Sequence, residues 1–290
     1  MKTTFVCFLL MIAFSSFSSC QPSEQESDNN KVAGETKPTS DGVNNKAIEV
    51  NIKKGLDYLL QRGNDIEPNA AMVLHFLQRK FSLGKEYEFS NFFETYPIKD
   101  AKGKALERMV NPNAGATSAE LGVMSKGTSL LDNLSNTSYA MNCALMCDKI
   151  PLSPGYFALL EQLTDLDRYF LTHAALSLQW LEENNCLTNR EEAQKLRKKQ
   201  HELIAKLIDK LGKPTDLQME SVAILMYIGG REYLQPEWIN LISQKQLSNG
   251  GWPLGEMSQN NPHDHATVHA LWALLEYLHP EAPPTTWIMK

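Results

Sequence analysis

The chain has 290 residues, of which 42% are hydrophobic, and a formal net charge of −6. This acidic balance lacks the clustered Lys and Arg side chains that neutralise phosphates, so nucleic acid is excluded as a partner. The length is sufficient to bury one substantial hydrophobic core without a second domain.

Residues 1–19 are predicted to be a secretion signal that ends before Cys20. Lys2 supplies the positive start, and the apolar stretch after it is too short to span a bilayer. The Ser-Ser-Cys20 sequence resembles a bacterial lipoprotein signal, which implies that Cys20 becomes the lipid-modified first residue. An ordinary cleaved signal is the alternative. The resemblance predicts a bacterial cell-envelope protein, attached through its lipid anchor to the outer membrane or at the periplasmic face.

Residues 20–46 are predicted to be a disordered tether. The segment is rich in Ser, Asn, Glu, Pro and Gly and has almost no apolar side chains, so burial cannot offset the entropy of ordering it. Residues 47–290 are predicted to form the folded domain.

Helical periodicity dominates that domain, and strand signals are scarce, which predicts an all-α fold. First helices of helical hairpins are predicted at about 47–62, 101–110, 137–148, 190–211 and 234–247. Second helices are predicted to start at Pro68, Thr117, Asp167, Asp216 and Asp264, at intervals of about 50 residues, which indicates a repeat of helix pairs. The segment PGYFALLEQL, before Asp167, adds one further helix.

The C-terminal region carries a motif: a Gln-rich turn ends in Gly250-Gly251-Trp252 and is followed by an apolar helix with Ala270 and Trp272. This motif resembles the Gln-Trp repeats of the squalene-cyclase-like superfamily, which includes protein prenyltransferase β-subunits. The resemblance implies helical hairpins arranged in an α/α toroid-like ring. The acidic cluster of the cyclases is absent, and Asp216 is not followed by the cysteine of the prenyltransferase zinc site, so the resemblance implies the fold alone.

Three cysteines remain after the signal and the lipid site: Cys143, Cys147 and Cys186. Cys143 and Cys147 lie on one helix face, where a disulfide between them would strain the bond geometry. A bridge from Cys186 to either one and buried free thiols stay as alternatives.

The strongest candidate site is a group of histidines. His265 and His269 are four residues apart, so both imidazoles lie on one helix face and can share a divalent metal, with Asp264 as a carboxylate ligand. Inner-helix N-termini lie at one end of a toroid, which would bring His173 and Glu220 to the same place. The alternative is structural: Asp264 caps the helix, His265 lies in its first turn and His269 packs in the core.

Two functions follow from these features. The first is an accessory module that binds an envelope glycan, lipid or protein ligand in the mouth of the ring. The second is an enzyme that acts on polysaccharide, in a lyase-like way, or on lipid, with His173, Tyr139, His265 and His269 as catalytic residues. An enzyme requires at least three of five residues, namely these four together with Glu220, to lie within reach of one point. A binding module should instead have histidines with unperturbed pKa values.

Overall fold

The computed structural model describes residues 43–87, 101–255, 258 and 260–289. The predicted signal, Cys20 and the tether up to residue 42 lie outside the described residues. Val43–Lys290 forms one compact unit. Its first helix begins at Asn45, two residues before the predicted start of the domain, because Asn44 caps it by accepting a hydrogen bond from the Ala47 amide.

The fold is all-α, as predicted. The α-helices in the described residues are α1 (Asn45–Arg62), α2 (Pro68–Phe81), α3 (Ser118–Leu121), α4 (Leu130–Met146), α5 (Tyr156–Asp165), α6 (Tyr169–Glu183), α7 (Arg190–Leu211), α8 (Asp216–Tyr227), α9 (Pro236–Gln244) and α10 (Asp264–Leu278). Short 3₁₀ helices occupy Gly63–Asp65, Lys85–Tyr87, Ala101–Met109 and Arg231–Tyr233. None of these described helices has the length and hydrophobicity needed to cross a membrane.

Each predicted second-helix start lies within two residues of a helix start in the structure, at α2, α3, α6, α8 and α10. The additional helix is α5. The hairpin pattern is weakest at α3, which has only four residues. A capping box between Thr117 and Glu120 starts α3, but Gly122 follows with φ +89° and ends it.

The predicted first helices needed three corrections. The segment predicted at 101–110 contains a 3₁₀ helix, Ala101–Met109, rather than an α-helix. The helix predicted over 137–148 starts earlier, at Leu130, because Ser129 and Asp132 form a capping box. The helix predicted over 234–247 is shorter, Pro236–Gln244, with proline at its start, where the missing N–H costs nothing.

The helices form an inner and an outer set. The inner helices α2, α10, α8 and α6 contact one another in that order, and the most extensive contact among the described helices joins α8 to α10. Every residue from Asp216 to Met226 in α8 is buried, as is every residue from Ala266 to Glu276 in α10. Helices that are buried all round form the core. Helices α1 and α9 pack against α10, and α7 packs against α8 and α6.

Candidate functional site

The Gly250-Gly251-Trp252 turn sets the position of α10. Trp252 is fully buried, and its indole Nε1 donates a hydrogen bond to the Ile242 carbonyl at 2.7 Å. Its backbone N–H donates to Oγ1 of Thr267 in α10 at 2.9 Å, and its carbonyl accepts from the His263 amide at 2.9 Å. Gly250 has φ +94°, the left-handed region that glycine adopts without strain.

The same turn also holds the start of α8. The Asp216 amide, which has no acceptor within its own helix, donates to the Leu254 carbonyl at 3.0 Å. Thr215 caps α8 by accepting from the Gln218 amide. One turn therefore fixes the first residues of both α8 and α10, and this brings their N-terminal side chains together.

Four titratable side chains meet at these two helix starts: Asp216 and Glu220 from α8, and His265 and His269 from α10. Each pair is four residues apart, which puts its members one above the other on a helix face. One nitrogen or oxygen atom from each of the four lies within 4.8 Å of the others. We call these four residues the acid–histidine cluster.

The shortest contact in the cluster joins Nδ1 of His265 to Oδ1 of Asp216 at 2.8 Å. Nδ1 of His269 lies 3.6 Å from the same oxygen and 3.8 Å from Oε2 of Glu220, beyond normal hydrogen-bond distance. That nitrogen is buried without a hydrogen-bond partner. A buried, unpartnered nitrogen that faces two carboxylates is suited to coordinate a cation.

Helix α6 supplies the surroundings of the cluster. The Tyr169 hydroxyl donates to Oδ2 of Asp216 at 2.7 Å, and the Thr172 hydroxyl donates to Oε1 of Glu220 at 2.7 Å. Nε2 of His173 lies 3.9 Å from that same Oε1, and its ring stacks on Tyr169. Each carboxylate is thus oriented by a hydroxyl from the neighbouring helix, the kind of outer hydrogen bond that fixes ligand geometry in metal sites.

The cluster perturbs the pKa of each of its members. Burial alone would raise the pKa of Asp216, but the charge and hydrogen bond of His265 outweigh it and hold this pKa well below its ordinary value. Burial alone would lower the pKa of His265, but Asp216 raises it to about 9. The pKa of Glu220 rises to about 7, because the carboxyl is buried and Asp216 is negative.

The pKa values of His269 and His173 shift in the opposite direction to that of His265. The pKa of His269 falls to about 4 because its ring is buried and the nearby His265 is positive. The pKa of His173 also falls to about 4, through burial and the charges of His265 and His269. At neutral pH the cluster therefore holds one positive charge, on His265, between acidic groups, and offers neutral imidazoles beside it.

The donor set and spacing fit a divalent transition metal. Ligand atoms at about 2.1 Å from a tetrahedral zinc ion lie about 3.4 Å apart, and the contacts of 2.8, 3.6 and 3.8 Å in the cluster bracket that value. Two imidazoles with carboxylates suit zinc, iron or manganese better than calcium, which takes six or more oxygen ligands.

The structure places the predicted site residues unevenly. His265, His269 and Glu220 lie within 4.8 Å of one another, and His173 lies 3.9 Å from Glu220. Asp264, predicted as a metal ligand, is not part of the cluster. Its carboxylate instead accepts hydrogen bonds from the Tyr58 hydroxyl, from Nε of Arg62 and from the Glu67 amide, each at 3.1 Å. It is the first helical residue and not the cap, because His263 occupies the cap position.

Tyr139 also has partners elsewhere. Its hydroxyl donates to Oγ of Ser153 at 2.9 Å, and its side chain contacts Cys143 on the same helix. The structure therefore places its hydroxyl in the α4–α5 region rather than among the cluster's hydrogen bonds. Tyr169, the first residue of α6, supplies the phenol that donates to the cluster.

Asp216 belongs to the cluster but is not among the site residues predicted from the sequence, because it does not complete a prenyltransferase zinc motif. A usable signal was present, because Asp216 and Glu220 have the same four-residue spacing at the start of α8 as His265 and His269 have at the start of α10. Equivalent positions in successive hairpins of a repeat fold are expected to be neighbours in space.

No family model, curated protein or solved structure matches this chain.

Proposed function

We propose that this chain is a divalent-metal-dependent enzyme of the bacterial cell envelope that breaks bonds in polysaccharide or lipid. The observation that carries the proposal is the convergence of Asp216, Glu220, His265 and His269, with oxygen and nitrogen atoms within 4.8 Å of one another. Metal enzymes commonly use three protein ligands and keep one position open. Asp216, His265 and His269 are the proposed ligands.

Glu220 is the proposed general base. Its pKa of about 7 lies near the operating pH, where a carboxyl can both accept and return a proton. The Thr172 hydroxyl holds one of its oxygens, Oε1, and Oε2 lies on the side of His269. A bound divalent cation would supply Lewis-acid chemistry beside this base.

His173 and His265 provide access. Their side chains are 27% and 23% exposed, whereas those of Asp216, Glu220 and His269 are almost completely buried. A substrate would therefore approach from the side of these two rings. His173, neutral at physiological pH and close to Glu220, is suited to donate or accept a hydrogen bond to a reacting group.

The cluster favours an enzyme over a passive binding module. A binding module should have histidines with ordinary pKa values. The pKa values of His173, His265 and His269 are all displaced from the ordinary value of histidine. An enzyme should bring at least three of the five predicted catalytic residues to one point. Four of the five, all except Tyr139, lie in or next to the cluster. Perturbed titratable groups that meet in one place favour catalysis.

We further propose a toroid-like arrangement of the hairpins and a lipid anchor at Cys20. The consecutive contacts of α2, α10, α8 and α6, together with the packing of α1 and α9 on α10 and of α7 on α8 and α6, support the toroid proposal. A disulfide between Cys147 and Cys186 supports an oxidising compartment such as the periplasm.

The experiment uses the detergent-solubilised full-length protein. Elemental analysis is expected to find about one divalent transition metal per chain. The metal should be lost in the double variant His265→Ala, His269→Ala and kept in His279→Ala, since His279 lies on the surface beside Glu281. Incubation with envelope polysaccharide and phospholipid should then release new reducing ends or fatty acid.

Glu220→Gln separates binding from chemistry. Gln cannot accept a proton, so this variant should keep its metal and lose turnover by about a hundredfold or more. Absence of metal in the wild-type protein contradicts the metal centre. Metal without any release of reducing ends or fatty acid favours the binding module instead.

A further inference from the structure

A pocket lies next along the chain from the acid–histidine cluster, at the start of α10. Its volume is about 340 Å³, and it lies between the end of α1 and the start of α10. The lining residues are Tyr58, Arg62, Glu67, Pro262, His263 and Asp264. This volume is at the lower end of the range for small-molecule sites.

Asp264 organises the walls of this pocket. Its side chain is only 3% exposed, and its carboxylate accepts three hydrogen bonds, from Tyr58, Arg62 and the amide of Glu67. A second bond from Nη2 of Arg62 to the Asp65 carbonyl fixes the guanidinium further. Side chains that are held by a buried partner are preorganised for binding, as functional sites require.

The charges in the pocket select the class of ligand. The positive charge of Arg62 is balanced by Asp264, and the carboxylate of Glu67 remains, 3.4 Å from Nε2 of His263. A phosphate would therefore meet a carboxylate without a free positive charge to offset it. A neutral ligand that both donates and accepts hydrogen bonds avoids this cost.

The surfaces of the pocket fit a sugar ring. Arg62 is a donor, Glu67 is an acceptor, and the hydroxyl of Tyr58 stays protonated because burial and Asp264 raise its pKa to about 12. Tyr58 and Pro262 add an aromatic and an aliphatic surface for the apolar face of a pyranose. Alternating hydroxyls and C–H groups are characteristic of glycans.

The pocket and the cluster are adjacent. His263 and Asp264 line the pocket, and His265 belongs to the cluster, so their neighbouring Cα atoms are about 3.8 Å apart. The charge of Glu67, in the pocket wall, also acts on His265.

We propose that this pocket binds one neutral glycosyl unit of a polysaccharide and so directs the adjacent linkage to the acid–histidine cluster. The binding step stands on the pocket alone, and only the cleavage of that linkage rests on the proposed function. Among the two substrate classes proposed for the enzyme, polysaccharide is thereby selected over lipid.

Binding is tested on full-length protein freed of metal by chelation. The probes are neutral hexasaccharides with glucose, galactose, mannose or N-acetylglucosamine units, together with oligogalacturonate and inorganic phosphate. Calorimetry and saturation-transfer NMR measure each. At least one neutral oligosaccharide is expected to bind, and Arg62→Ala should weaken it by about tenfold or more, because a charged hydrogen-bond donor is lost.

Controls keep folding and chemistry apart from binding. Glu67→Gln keeps the shape of the side chain and should also weaken sugar binding. Arg190→Ala, at an exposed arginine of α7, should leave sugar binding unchanged. Thermal unfolding and metal content should stay unchanged in Glu67→Gln. If the sugar binds equally to wild type and both pocket variants, or if no neutral sugar binds, or if phosphate or oligogalacturonate binds more tightly, the proposal is overturned. Sugar binding without any metal site would leave this pocket standing and refute the metal enzyme.

Discussion

His265 and Asp216 meet at 2.8 Å although they are 49 residues apart in the chain. Each lies in the first turn of its helix, and the backbone of residues 252–254 holds both turns. Asp216 raises the pKa of His265 to about 9, so this imidazole is protonated at neutral pH and a metal that binds it must displace the proton.

Metal binding should release protons in a pH-dependent number. His265 is protonated below about pH 9 and Glu220 below about pH 7. Because cations displace bound protons, about one proton should leave at pH 8 and about two at pH 6, with weaker affinity at pH 6. Calorimetry in two buffers with different ionisation enthalpies measures the number.

Glu220→Gln provides the matched control for this count. Removal of one titrating group should reduce the release at pH 6 to about one proton. A release that does not change between pH 6 and pH 8 in the wild-type protein would show that Glu220 does not titrate beside the metal.

Trp252→Ala should lower the free energy of unfolding by about 3–5 kcal/mol, because a fully buried indole and its hydrogen bond to Ile242 are lost. Urea denaturation measures the change. Leu131→Ala, at a side chain that is 74% exposed, is the control and should have little effect. An unchanged midpoint for Trp252→Ala would mean that the indole does not pack against the hairpin.

Gly55→Ala should destabilise the contact between α1 and the turn. A Cβ atom at residue 55 would lie 2.8 Å from the Trp252 ring and 2.8 Å from Leu271. Overpacking of this kind costs about 1–3 kcal/mol. Gly115→Ala, with no atom within 4 Å of the added Cβ, is the matched control for thermal unfolding. Equal melting temperatures for the two variants would contradict the close packing of α1.

Reduction of the Cys147–Cys186 disulfide should also destabilise the domain. The bridge spans 39 residues, and the loss of a loop constraint of this length costs about 4 kcal/mol in the chain-entropy estimate. Urea denaturation with and without reductant measures the effect. Cys143→Ala, which removes the buried free thiol, should keep the same response to reductant. A Cys147→Ser, Cys186→Ser variant as stable as wild type would rule out a stabilising bridge.

Cys20→Ala should move the protein from the membrane fraction to the soluble fraction. Each buried methylene of an acyl chain contributes about 0.8 kcal/mol to membrane binding, so several chains anchor a protein firmly. Detergent phase partitioning after expression in a bacterium measures the change, with Cys7→Ala as the control within the predicted signal. Full retention of Cys20→Ala in the membrane fraction would exclude lipid at this residue as the anchor.

The sequence by itself determined the starts of the second helices and the helix face shared by His265 and His269. Hydrophobic periodicity, capping residues and glycines act over a few residues, so the helix starts at Pro68, Asp216 and Asp264 were predicted correctly. The four-residue spacing of His265 and His269 likewise fixed a shared helix face, because it depends only on the pitch of one helix.

Only the tertiary structure decided which groups join these histidines. Asp264 and Asp216 are both first helical residues, yet one turns to Tyr58 and Arg62 and the other to His265. The choice of Cys147 over Cys143 as the partner of Cys186 was likewise open from the sequence. Such choices depend on the rotation and relative height of packed helices. Long-range contacts, such as the hydrogen bond from Asp216 to Leu254, fix this rotation and height, and a local sequence pattern does not predict them.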